Sequence, residues 1–266
     1  MGPSIDLGGA RGQAVAAAMG RVVHSQEVTD VFIGHFAPAL VAAAHVEKTG
    51  QARVLGGMFI AAQLVDFAFF ILVLLGVEQF RIVPGITAMN PLDLYLMPFT
   101  HSLAGTLGWA GLFALLTALF LRDVRFAILG AGVVLSHWFL DLLVHRPDLT
   151  LAGEAPKLGL GLWNVPWAIV PLELLMTLGA FFYYAVKTRQ RDGKTDHALY
   201  TLLVVLVIVQ LLNWYGPMPE NGPMEVCFQA LIVFTILVLL AAWLGSTREY
   251  WRMRDLEPPS AMPTRK

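Results

Sequence analysis

With a single cysteine, Cys227, this chain can ligate a metal only through histidine, aspartate or glutamate, and several of these lie within apolar segments. The run Ser136-His137-Trp138-Phe139-Leu140-Asp141-Leu142-Leu143-Val144-His145 sets His137, Asp141 and His145 at i, i+4 and i+8. Four residues make slightly more than one helical turn, so the three line one stripe. A His and a carboxylate at i, i+4 can grip one cation, as paired helix positions do in zinc enzymes. His101, in Phe99-Thr100-His101-Ser102-Leu103, begins another apolar segment, and His35 follows Gly34 in a shorter one. Asp66 and Glu173 lie deeper in two further segments, about 15 Å and about 10 Å from the same end by helical rise. Ionisable groups at such depth cost a few kcal/mol on insertion scales, so each needs a partner or a purpose.

The elements that must position these residues follow from composition. The 266 residues are 57% hydrophobic and 14% charged, where a soluble domain carries about 25% charge. Six segments can cross a hydrocarbon core of about 30 Å: 54–76, 98–121, 126–145, 166–186, 198–214 and 226–246, the fifth being the shortest. A seventh, 31–46, follows the N-cap residues Thr29 and Asp30 but is short and contains Pro38, so it spans, re-enters, or lies buried in the bundle. The fold class is therefore all-α, a polytopic integral membrane bundle. Residues 1–28 form a peripheral segment, 29–249 the helical domain with a site-bearing core at about 31–166, and 250–266 a tail.

Charge sets the expected orientation. If the first long span runs outward, 13 basic residues fall on one side: Lys48, Arg53, Arg122, Arg125, Lys187, Arg189, Arg191, Lys194, Arg248, Arg252, Arg254, Arg265 and Lys266. Only Arg81, Arg146 and Lys157 fall on the other. The positive-inside rule makes the first side, and the C-terminus, cytoplasmic, and alternating spans bring the histidines and acids to the outward end. A net charge of -1 gives no basic field for nucleic acid. There is no Walker loop, dinucleotide fingerprint or Gly-x-Ser-x-Gly elbow.

Taken singly, each polar residue has a plainer explanation. A His near a helix end is more often an interfacial hydrogen-bonding group than a ligand, Asp66 can pair with Gln63, and Glu173 with a helix terminus or Asn164. His24, His45 and His197 read as solvent or interface residues. Two His and one Asp on one stripe, with His101 and Asp66 at a converging level, favour a joint site.

Gly34-His35, an Asp in the first long span, Phe99-Thr100-His101-Ser102-Leu103, and Leu135-Ser136-His137 with Asp141 four residues on resemble motifs of the bacterial inner-membrane, membrane-bound metal-dependent hydrolases. The resemblance covers about residues 31–166. It implies a ligand set of His35, Asp66, His101, His137 and Asp141, and His145 joins from the helix stripe alone. The chain departs from that family where an Asp-x-Asp-His cluster is replaced by Leu64-Val65-Asp66-Phe67, and a His-Arg pair by Leu96-Met97-Pro98. His145 and Glu173 are the candidates to replace the missing groups.

The expected function is a hydrolase of the inner membrane that cleaves an ester or phosphoester, on a lipid or lipid-linked substrate, at the outer face. A divalent cation, zinc before manganese, would sit on His35, His101, His137, Asp141, His145 and Asp66, with Asp66 or Glu173 accepting the proton. The rival is a transporter or permease using the same acids and histidines for proton or ion coupling. Haem ligation leaves Asp66 and Asp141 without a role, and a purely structural bundle would use its polar residues only to join helices.

Overall fold

The computed structural model describes residues 33–46, 50–216 and 222–250. The proposed caps Thr29 and Asp30, the whole peripheral segment 1–28 with His24, and all of the C-terminal tail but Tyr250 lie outside these residues. The order is a 3-10 turn Ile33–His35, α1 Phe36–Ala43, α2 Gln51–Leu74, a hairpin of β1 Gln79–Ile82 and β2 Leu92–Leu96, α3 Leu103–Leu121, and α4 Val124–Val144. A second 3-10 turn, Leu162–Asn164, leads into α5 Pro166–Lys187, β3 Thr188–Gln190, α6 His197–Tyr215, α7 Pro223–Thr247 and β4 Arg248–Tyr250. Helices α2 to α7 are the six that are long and apolar enough to cross a membrane, the architecture of a multi-pass membrane protein. The segment expected to be weakest, α6, is a full 19-residue helix.

The 31–46 segment lies buried in the bundle. Its 8-residue helix α1 measures about 12 Å at 1.5 Å per residue, far short of a bilayer core. Pro38 is its third residue, inside the first turn, where the missing N–H has no intrahelical acceptor to lose. Phe36, Ala37, Ala39, Leu40, Ala42 and Ala43 are buried as α1 packs on α2, α4 and α5. The 3-10 turn before it delivers His35 into the centre of the bundle, where its side chain is 4% exposed.

Helix α2 forms the spine and makes its most extensive contact with α7. Small residues allow the approach: a Cβ on Gly56 would come within 3.0 Å of the Ala242 methyl, and one on Gly245 would collide with the Gln51 carbonyl. Where lipid offers no hydrophobic drive between helices, such close packing holds the pair together. Asp123 caps α4 by accepting from the Phe126 N–H at 3.1 Å, and α3 leans on α4 where Gly130 accommodates Phe113.

The connections at the two ends of the bundle are also structured. On the side away from the histidines, β3 and β4 pair antiparallel, and the buried Arg248 guanidinium donates to the Thr188 hydroxyl and carbonyl, the Ala185 carbonyl and Asp196. On the histidine side, the 77–97 stretch between the first two long spans folds into the β1–β2 hairpin, with a register irregularity between Gln79 and Arg81. Two helix ends also shift from expectation. His101 precedes α3, with Ser102 as its N-cap, and His145 is the extended C-cap of α4.

Since Gly245 has no room for a side chain against the Gln51 carbonyl, Gly245→Val should destabilise the protein by about 1–3 kcal/mol through forced separation of α2 and α7. Unfolding in detergent followed by circular dichroism measures it, and Gly108→Val, at a glycine with open space, serves as the control.

Candidate metal centre

Six side chains from five parts of the chain converge at one end of the bundle. Asp66 comes from α2, His137 and Asp141 from α4, His35 from the turn before α1, His101 from the turn before α3, and His145 from the α4 C-cap. Asp141 is central. Its Oδ1 lies 3.0 Å from His35 Nε2 and 3.7 Å from His145 Nε2. Its Oδ2 lies 3.2 Å from His137 Nε2 and 3.7 Å from His101 Nε2. Asp66 Oδ1 sits 3.3 Å from both His101 Nε2 and His137 Nε2. The i, i+4 stripe thus closes at His137 and Asp141, and His145 reaches the group from just beyond the helix.

The outer nitrogens of three imidazoles are fixed by groups that define their tautomer. Ala62 carbonyl lies 2.9 Å from His137 Nδ1 and can only accept, so Nδ1 donates. Asp148 Oδ1 lies 2.9 Å from His145 Nδ1 and accepts in the same way. The Thr100 hydroxyl donates its one hydrogen to Glu78 Oε2 at 2.6 Å, so at 2.9 Å it accepts from His101 Nδ1–H. In each neutral ring Nε2 then carries the lone pair, and that lone pair faces carboxylate oxygen. Acceptor faces acceptor across 3.2–3.7 Å, and His137 Nε2 and Asp141 Oδ2 are buried with no hydrogen-bond partner.

A cation resolves this conflict. Ligand atoms about 2.0–2.2 Å from one tetrahedral zinc lie roughly 3.3–3.6 Å from one another, close to the separations found here. The donor atoms of His35, His137 and Asp141, and those of Asp66, His101 and His137, form two sets each mutually within 4.8 Å. The alternative, several imidazolium ions buried together, would bring like charges into contact at low dielectric. The residues therefore fit a divalent cation, and the buried His and Asp groups can bind one.

Neighbours lock the ligands from behind. His145 packs on Trp163 with centroids 4.4 Å apart, His101 meets the edge geometry of Phe69 at 5.0 Å, and His35 stacks on His137 at 4.0 Å. Trp163 is brought there by a tight return of the loop after α4. Gly159 lies against the His145 and Arg146 carbonyls, where any Cβ would collide, and the Gly161 N–H donates to the His145 carbonyl at 2.7 Å. The Phe99–Ser102 turn is equally constrained. Ser102 Oγ donates to the Pro98 carbonyl at 2.6 Å and accepts from the Gly105 N–H at 3.0 Å. A cavity of about 20 Å³, large enough for a water-sized guest, opens over His35, Asp66, His101, Asp141 and His145.

Not every expected residue arrives. Glu173 lies in a separate small cavity, with Trp163 lining both, and its Oε2 accepts from Gln210 Nε2 at 3.0 Å. Asn164 instead accepts from the Ala88 N–H, and Gln63 is buried without a partner rather than joined to Asp66. His45 is bound to the Tyr183 hydroxyl at 2.8 Å, and His197 is exposed at the start of α6. Two residues went unnoticed in the sequence, Glu78 and Asp148. Glu78 is fully buried and also accepts from the Phe99 and Thr100 N–H groups at 2.7 and 3.1 Å. An acid directly after an apolar span, and an acid three residues beyond His145, were the available signals.

No family model, curated protein or solved structure matches this chain, so the hydrolase resemblance rests on its own motifs.

Partners behind metal-binding histidines commonly contribute 10–100-fold in affinity. Glu78→Gln, which weakens the Glu78–Thr100–His101 chain, should lower zinc affinity by about that factor. Competition against a chromophoric chelator measures it, and unchanged affinity would remove Glu78 from the site.

Proposed function

We propose that this chain is a metal-dependent hydrolase of the bacterial cytoplasmic membrane that cleaves a phosphoester, or a related ester, of a lipid or lipid-linked substrate at the outer face. The observation that carries the reading is the convergence of four imidazole Nε2 atoms on the Asp66 and Asp141 carboxylates, with those of His101, His137 and His145 set acceptor against acceptor, beside a water-sized cavity. Zinc suits this nitrogen-rich set, with manganese as the second choice. When bound, the cation supplies Lewis-acid charge to a phosphoryl or carbonyl oxygen and acidifies water.

The protein's own groups divide the remaining work. His35, His101, His137, His145 and Asp141, with side chains 4% exposed or less, hold the cation and keep bulk water out. Asp66, at 14%, is the most open of the six and lines the cavity; its Oδ1 faces the ligand nitrogens of His101 and His137, which leaves its other oxygen to accept a proton from the attacking water. Glu173, the other expected base, is separated from the cluster and supports the turn that carries His35 through Gln210, whose Oε1 accepts from the Ile33 N–H at 3.4 Å.

Charge around the mouth favours a phosphoester. The three basic residues assigned to the outward side all gather behind His145. Arg81 and Arg146 both pair with Asp93, Arg146 Nε faces Asp148 Oδ2 at 3.5 Å, and Lys157 Nζ donates to the Asp148 carbonyl at 3.1 Å. Arg81 keeps a 68% exposed side chain that can meet an anion. Exposed Tyr95, Phe99, Leu160 and Trp167 ring the same end, a composition suited to the headgroup layer, and support delivery of substrate from the membrane surface. The positive-inside count supports a cytoplasmic C-terminus.

Purified chain, metal-replete and folded, should hydrolyse members of a panel of phospholipids, soluble phosphoesters and carboxyl esters. His137→Ala and Asp141→Asn should lose both metal, read by elemental analysis, and at least 100-fold of the rate, a loss in keeping with removing a ligand from a metal that activates water. Metal-free wild type, or proton-coupled uptake in proteoliposomes abolished by Asp66→Asn without any hydrolysis, would replace this reading with a transporter.

A further inference from the structure

The other five side chains are distributed unevenly around Asp141, and the distribution divides along its two oxygens. Oδ1 faces His35 and His145, while Oδ2 faces His137 and His101, with Asp66 Oδ1 completing the second group. The two mutually close donor sets share His137, yet one Nε2 lone pair binds one cation. Its 3.2 Å approach to Asp141 Oδ2 and 3.3 Å approach to Asp66 Oδ1 place His137 with His101. His35 and His145 are then left on the opposite oxygen. We propose that the centre holds two divalent cations bridged by the Asp141 carboxylate, one on His35, His145 and Oδ1, the other on Asp66, His101, His137 and Oδ2. This inference rests on the metal-dependent reading of the site and adds its nuclearity.

Charge balance points the same way. Asp66 and Asp141 alone would neutralise one dication, but two further carboxylates face the cluster through its histidines. Asp148 lies behind His145 and Glu78 behind His101, through Thr100. Asp148 is shared with Arg146, but Glu78 is fully buried and its partners are two backbone N–H groups and a hydroxyl, none of them cationic. A buried carboxylate without a cation beside it is costly, and a second dication in the cluster supplies the missing charge. Two cations about 3.5–4 Å apart are also the arrangement that clamps the attacking and leaving oxygens of a phosphoester, so the inference narrows the substrate to that class.

The test uses the full chain in detergent, stripped with chelator and reloaded with manganese. Elemental analysis should give two manganese per chain, and low-temperature electron paramagnetic resonance a spin-coupled signal in place of six isolated lines. His145→Gln, which removes a donor only from the Oδ1 side, should fall to one manganese with an isolated six-line spectrum, with folding checked by circular dichroism. One manganese per wild-type chain, or two without coupling, overturns the bridged pair while leaving a metal-dependent site standing. No bound manganese and no bound zinc overturns both.

Discussion

The histidine-bearing end of this bundle is organised around burying the Asp141 carboxylate among four imidazoles. A carboxylate 3% exposed inside a membrane protein is tolerable only when compensating charge meets it, and here that charge would be a bound cation. The imidazoles that would hold it with Asp141 come from the α4 helix itself, from its C-cap, and from the turns that begin α1 and α3. The consequence reaches through the fold, because local contacts hold each of those turns in place. The Ser102 cap, the Gly159 close approach and the interior placement of α1 all bring one imidazole to one point.

The histidines are also oriented individually, by three kinds of acceptor. A carbonyl behind His137, a carboxylate behind His145 and a hydroxyl relayed to a carboxylate behind His101 each keep a proton on Nδ1 and turn Nε2 inward. Such partners raise ligand basicity and hold the ring, so the site is prepared before any cation arrives. The spine of α2 and α7 and the clamp of Arg248 at the opposite end brace the helices that carry the site. Close contact at Gly56 and Gly245 does in lipid what apolar burial does in water.

The sequence carried the architecture well and the site in part. The six spans were legible because length and hydropathy are enough to identify a crossing, and the helices match to within a few residues apart from the start of α3. That start moved because Ser102 caps α3, which leaves Phe99, Thr100 and His101 in a turn. The buried fate of residues 36–43 was one of three readings left open, since a short apolar helix with Pro38 fits a re-entrant loop as well as a plug. The β1–β2 hairpin was missed because four- and five-residue strands in a Gly- and Pro-punctuated stretch carry little periodic signal. Gln63 beside Asp66, and Glu173 as a base, looked plausible because depth along a helix was known and rotation about it was not.

By itself, then, the sequence determined the six long spans, the end of the bundle at which the polar residues gather, and the pairing of His137 with Asp141. Each of these depends on composition, alternation or the 3.6-residue turn, all local properties of the chain. Tertiary structure alone decided that His35 and His101 point at the same carboxylate, that Asp141 divides its two oxygens between pairs of imidazoles, and that Glu78 rather than Glu173 stands behind the cluster. Those outcomes depend on the rotation and tilt of packed helices and on hydrogen bonds from connecting turns, which no residue encodes without its neighbours in space.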